Sequence, residues 1–510
     1  MAEAELRQEK AKLQKVLKRW DLVFFSVCAI IGLDAISGLA KFGLWQAVTW
    51  LVVFVFIFLL PYGLISAELA STFPAEGGMY TWVRMAYGKL PAGITSMLYW
   101  IANAIWIGGT LAGATIASIN SFYMHPNGHG DLGWLPSMVI GLIFVWVNIA
   151  IAVISLRQGK WAANIGAYVK AIAVIFFSIL VVAFLIKQGL PAGHAPISGL
   201  KPSVTGFLAV IGSIVFLLVG FELESGASEE MVNPQRDVPV GVLRSGVITM
   251  VLYIMVVAGI LIALPEKTLN NASGFTNAFQ AVNQGVFGTG GGAKFLGYIF
   301  AVIIILTLIG SGSVWILGSC RVQAMAALDG AAPRILGRFS KQGTPIAMAI
   351  LSGIIGSFFV IYIFAVLKGS LTSFFSVMLA LALSTAVLCY LFSLPAVITL
   401  RKKFPDVKRP FRVPGGPVVL WLCVILSEIC VVLTGFTLLW PGFIDKYLLG
   451  QSYSIEDSWG VARGYFEKVT LGTFIAIVLV AVVFWAWGRL ESKGAETTTE
   501  DLIEGAVVEE

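Results

Sequence analysis

The chain has 510 residues, of which 58% are hydrophobic and only 12% charged, with a formal net charge of +6. Soluble domains carry about 25% charged residues, so a soluble fold of this length is excluded, and so is disorder, which needs low hydrophobicity and high net charge. An integral membrane protein remains.

Residues 1–20 are polar and basic, and no small-residue cleavage site follows the first apolar run, so they do not read as a cleavable signal peptide. Twelve apolar stretches follow, at 21–44, 46–72, 92–123, 134–156, 161–186, 203–230, 238–264, 294–322, 345–367, 373–400, 416–441 and 466–488. We call them spans 1 to 12. Each is long enough for a helix to cross a bilayer, which takes about 20 apolar residues. None shows the alternation of a β-barrel strand. Closed backbone hydrogen bonding makes them helices. The segment from Glu491 to Glu510 is acidic, rich in Thr and Glu, and has no apolar helical face, so we expect a disordered tail.

Lysine and arginine set the orientation. With alternating spans, 24 of the 34 basic residues fall on the side of the termini and 9 on the other, and Lys170 lies within span 5. This bias places both termini in the cytoplasm. It also argues against nucleic acid as a partner, because the basic residues are spread over short loops. The five cysteines, Cys28, Cys320, Cys389, Cys423 and Cys430, sit in or beside apolar runs and form no disulfide framework.

Two spans break their own helix pattern. Span 1 contains Ile30-Ile31-Gly32-Leu33-Asp34-Ala35-Ile36-Ser37-Gly38, and span 6 contains Leu218-Val219-Gly220-Phe221-Glu222-Leu223-Glu224-Ser225-Gly226. A charge at the bilayer centre costs about 2.5–3.5 kcal/mol on insertion scales. Close helix packing explains the glycines but not Asp34, Glu222 and Glu224. The breaks are five spans apart, as in a transporter with two inverted five-helix repeats and a central site of discontinuous helices. Backbone groups at Ile31, Gly32, Leu33, Val219 and Gly220 would then face a substrate.

Four further segments carry a resemblance. They are Phe73-Pro74-Ala75-Glu76-Gly77-Gly78; Glu229-Glu230-Met231-Val232-Asn233-Pro234-Gln235-Arg236-Asp237; Arg321-Val322-Gln323-Ala324-Met325-Ala326-Ala327-Leu328-Asp329-Gly330; and Arg409-Pro410-Phe411-Arg412-Val413-Pro414-Gly415-Gly416. With the two breaks, the chain resembles the amino acid–polyamine–organocation transporter superfamily. The resemblance implies an all-α membrane fold of twelve helices. A first five-helix repeat covers 21–186, an inverted second covers 203–400, and two added helices cover 416–488. It implies alternating access in the cell membrane without a cofactor.

It also implies residue roles. The family motif Gly-Ser-Gly in helix 1, whose N–H groups bind a substrate carboxylate, aligns with Gly32, Leu33 and Asp34. Asp34 departs from it. An acid there would repel a carboxylate and attract an amine. Phe216 matches an aromatic that stacks on substrate, and Glu222 an acid near the distal substrate site. Glu224 has no such counterpart. Trp106 and Trp315 are candidates for an aromatic wall that would hold a cation, with packing or lipid contact as the alternative. Lys170 lies ten residues into span 5, roughly 15 Å at helical rise, too deep to snorkel. In the family a lysine there takes the place of a sodium ion, which points to proton coupling or exchange. Glu76, Glu229, Glu230 and Arg236 would line the inner mouth, with helix caps as the alternative account.

The expected function is secondary transport of an amine-bearing solute, preferably an organic amine or polyamine, with protons as a possible co-substrate. The alternative is an amino-acid permease or a glutamate/γ-aminobutyrate-type antiporter. A membrane enzyme lacks an accompanying nucleophile or metal set, a channel lacks a repeated filter sequence, and no P-loop marks an ATP-driven pump. His125, His129 and Asp131 could in principle ligate zinc, but loop polarity accounts for them. The run 288–292 reads as a flexible connector.

Overall fold

A computed structural model describes residues 8–492, apart from 11, 14, 35, 37–44, 155, 190–201, 265–273 and 368–370. Residues 35 and 37–44 of span 1, including Ser37 and Gly38, and the acidic tail from residue 493 onward therefore lie outside the described residues. Among these residues eleven helices are long and apolar enough to cross a membrane. They correspond to spans 2 to 12. Span 1 is absent from that set because its helix, Arg19–Ile30, stops after 12 residues. Span 3 runs longer than expected, over Lys89–Asn127, and span 12 runs over Arg463–Glu491.

Two helices of ten residues or more were not anticipated. Gly78–Tyr87 follows span 2, and Gly274–Phe287 precedes span 8. Both are too short to cross a bilayer, so span counting passes over them. The expected connector at 288–292 is only partly a connector. Gly288 takes a left-handed φ of 76°, but Gly291 already begins the helix of span 8, Gly291–Leu328.

The neighbours repeat with a shift of five. Span 5 packs on span 8 and span 10 on span 3, span 4 packs on span 8 and span 9 on span 3, and span 7 packs on span 1 and span 2 on span 6. Spans 3 and 8 thus occupy matching positions in this pattern. Small residues permit the closest crossings. A Cβ built on Gly310 of span 8 would lie 3.1 Å from Gly166 Cα of span 5, and one on Gly166 would lie 2.6 Å from Cys28 Sγ. Spans 1, 5 and 8 meet there, which brings Lys170 to the break in span 1.

Both breaks are real departures from helix. Ile31 is extended, at φ −71° and ψ 95°. In span 6 the helix Val204–Leu218 ends, Val219 is extended, and a 3-10 helix resumes over Leu223–Glu230. Gly220 between them has φ 132°. A side chain there would be strained, and its Cβ would lie 2.8 Å from Ile30 Cγ1. The two breaks therefore touch each other.

Candidate functional site

A tyrosine from span 7 ties the breaks together. The Tyr253 hydroxyl accepts from Gly32 N–H at 3.1 Å and donates within the pair of carbonyls Ile30 and Leu217, the second at 2.9 Å. These are orphan groups of two ended helices, and a buried orphan costs about 1–3 kcal/mol.

Lys170 holds the same point from span 5. It is fully buried. Its ammonium donates to the Cys28 carbonyl, to Ile31 O at 2.7 Å, and to Ser311 Oγ. All three of its donors are used. The two carbonyls belong to the C-terminal end of the first half of span 1, where the helix dipole favours a cation.

Glu222 sits in a cage of phenols. Tyr62 of span 2 donates to it, Tyr99 of span 3 donates to Oε1 at 2.9 Å, and Tyr390 of span 10 donates to Oε1 at 2.6 Å. The Tyr62 hydroxyl also accepts from Gly220 N–H and Phe221 N–H, each at 2.9 Å. One side chain thus satisfies the unwound backbone and the acid it carries.

Asp34 and Glu224 have different partners. Asp34 Oδ2 accepts from the Trp106 indole N–H at 2.9 Å. Glu224 Oε2 accepts from Ser26 at 2.8 Å, on the first half of span 1, while its Oε1 has no hydrogen-bond partner among the described residues. Trp106 is the middle of an aromatic group. Its ring centroid lies 6.0 Å from that of Phe216 and 6.4 Å from that of Trp315. Trp315 meets Tyr99 at 5.9 Å and donates its N–H to Ala29 O at 2.9 Å. Both tryptophans are buried, so neither faces lipid. The residues singled out from the sequence in spans 1, 3, 6 and 8 converge here. Tyr62, Tyr99, Tyr253 and Tyr390 join them without having been expected.

A second cluster lies on the side of the termini. Arg321, at the end of span 8, is fully buried. Its Nη2 donates to Glu230 Oε2 at 3.1 Å, and its Nε lies 3.4 Å from Glu76 Oε1. Glu76 N–H donates to Glu229 Oε1 at 3.2 Å, and Glu229 N–H donates to Glu76 Oε2 at 3.3 Å. Lys10 reaches Glu229 Oε1 at 2.6 Å. Residues before span 1 lie across this cluster. Val16 and Leu17 N–H donate to Glu230 O, and Val232 N–H donates to Leu17 O. Burial raises the Glu76 carboxyl well above its usual range, with Glu230 beside it adding to the shift and Arg321 opposing it. Glu76, Glu229 and Glu230 are thus together. Arg236 is not among them. It is exposed and makes no ion pair among the described residues. Elsewhere, His125 Nε2 lies 2.7 Å from Asp131 Oδ1 on an exposed loop.

Residues 17–447 match the family described as "Amino acid permease". The chain belongs to this family. The permease is 30% identical over 432 residues to a probable agmatine/putrescine antiporter (AguD) of Lactococcus lactis, covering 84% of this chain and 89% of that one. It is 25% identical to the branched-chain amino acid permease BcaP of Bacillus subtilis, over 87% and 94% of the two chains. It is 24% identical to a methylthioribose transporter of the same organism, over 81% and 87%. These relatives are transporters, and this permease is a multi-pass membrane transporter rather than an enzyme.

Proposed function

We propose that the permease carries an organic amine or polyamine across the cell membrane by alternating access, coupled to protons or by exchange, with both termini in the cytoplasm. The observation that carries this reading is Asp34. It lies in the break of span 1, hydrogen-bonded to Trp106 and beside the aromatic group of Phe216 and Trp315. A carboxylate backed by aromatic faces suits a cation, through charge pairing and cation–π attraction. The same carboxylate disfavours the carboxylate of an amino acid.

The other residues take supporting roles. Three phenols already occupy Glu222, so it contributes negative potential to the site while holding the span 6 break in shape. Lys170 acts as a fixed cation where an ion would otherwise bridge spans 1, 5 and 8. Glu76, Glu229, Glu230 and Arg321 close the inner mouth. The likeness to an agmatine/putrescine antiporter supports an amine substrate, and the likeness to amino acid permeases supports the alternative of a zwitterion. Uptake of labelled putrescine and agmatine, against labelled amino acids, into proteoliposomes separates them. Saturable amine uptake is expected. Saturable uptake of a zwitterion with no response to amines overturns the reading.

A further inference from the structure

The surface between spans 2 and 7 carries a groove of about 390 Å³ with almost wholly apolar walls. Phe56 and Leu60 form one rim, and Leu243 and Val247 form the other. All four are exposed, on faces of two helices that cross the membrane. The groove lies in hydrocarbon. A void there would forfeit the dispersion contacts of its lining, and water would find no polar partners.

The floor is the Phe221 ring. Gly63 and Gly246 leave room around it: Cβ atoms built on them would lie 3.5 Å and 3.3 Å from ring carbons. Phe221 stacks on Tyr62, centroids 5.5 Å apart, and Tyr62 holds Gly220, Phe221 and Glu222. An occupant of the groove would therefore bear on the broken segment of span 6 from the lipid side.

One end of the groove is marked by charge. Pro239, Leu243 and Met250 line it, and helical spacing puts Arg236 on the same face, one turn before Pro239. Phe411 also lines the groove. Val413 N–H donates to Glu68, which fixes this segment at the end of span 2 next to Ala67, and Arg412 is exposed there. Two exposed arginines thus stand at the membrane boundary where an apolar groove ends. Basic residues at that depth attract anionic headgroups.

We propose that the groove seats an acyl chain of one anionic phospholipid, with its phosphate at Arg236 and Arg412. The chain backs Phe221 and steadies the span 6 break. This assignment holds whichever solute is carried.

The full chain, purified in detergent, is titrated with phosphatidylglycerol and with phosphatidylcholine and weighed by native mass spectrometry. The wild type is expected to retain one phosphatidylglycerol about tenfold more tightly than phosphatidylcholine. The double variant R236Q/R412Q should lose that preference to within about twofold. Val247→Trp, which fills the groove from its exposed rim, should lose retention of both lipids. Melting temperatures near that of the wild type establish that both variants are folded. Equal retention of the two lipids, a series of bound lipids with no favoured first molecule, a preference that survives R236Q/R412Q, or retention unchanged by Val247→Trp would each overturn the proposal.

Discussion

Tyr62 shows how much one hydroxyl can hold. It accepts from two consecutive backbone N–H groups and donates to the acid that follows them. Tyr62→Phe keeps the ring stack on Phe221 and Phe58 and removes only these bonds. It leaves two buried N–H groups and one oxygen short of a partner, a loss of about 1–3 kcal/mol for each group that finds no substitute. We expect a lower melting temperature in detergent and a transport rate reduced at least about tenfold. A variant with the wild-type rate would show that the break of span 6 does not need this clamp. Asp34, Glu222, Glu224 and Lys170 were legible in the sequence because a charge in a span is costly. Tyr62, Tyr99, Tyr253 and Tyr390 were not. A tyrosine in an apolar run reads as packing, and only the fold shows which hydroxyls reach a broken helix.

At the scale of elements, the cluster that we propose as the closure of the inner mouth is assembled from segments far apart in the chain. The segment before span 1 pairs with the end of span 6, and Arg321 of span 8 draws Glu76 and Glu230 together. Glu76 is held above the ordinary carboxylate range, first by burial, then by Glu230. An acid with a raised value binds its proton more tightly in the closed state than in water. The proposed closure is therefore expected to be favoured at low pH. It weakens as pH rises from the ordinary glutamate value, about 4.3, through the raised one. The test uses Ala75→Cys, a buried position at this mouth, in a chain whose five native cysteines are buried. Its alkylation, normalised to an exposed reference thiol, should quicken as pH rises, and Glu76→Gln should flatten that dependence. The same slope in both would remove Glu76 from the gate. The sequence marked Glu76, Glu229 and Glu230 through a resemblance. It did not mark the residues before span 1, whose role rests on backbone pairing that any side chain permits. The same resemblance grouped Arg236 with the gate, yet in the structure its side chain is exposed.

For the whole molecule, apolar run length was enough to find spans 2 to 12, since the bilayer sets one length for all of them. The helices Gly78–Tyr87 and Gly274–Phe287 escaped it. The five-span shift between the breaks was legible in the spacing and reappears in the pairs of packed helices. What spacing cannot give is the direction of each side chain, and that direction decides whether Asp34 serves the substrate. The most direct test is counterflow of labelled putrescine in proteoliposomes by wild type and Asp34→Asn. Removing one member of a buried charge pair costs about 2–5 kcal/mol, so Asp34→Asn should raise the half-saturating putrescine concentration at least tenfold, with the folded protein otherwise retained. Wild-type counterflow of putrescine by Asp34→Asn would contradict the account.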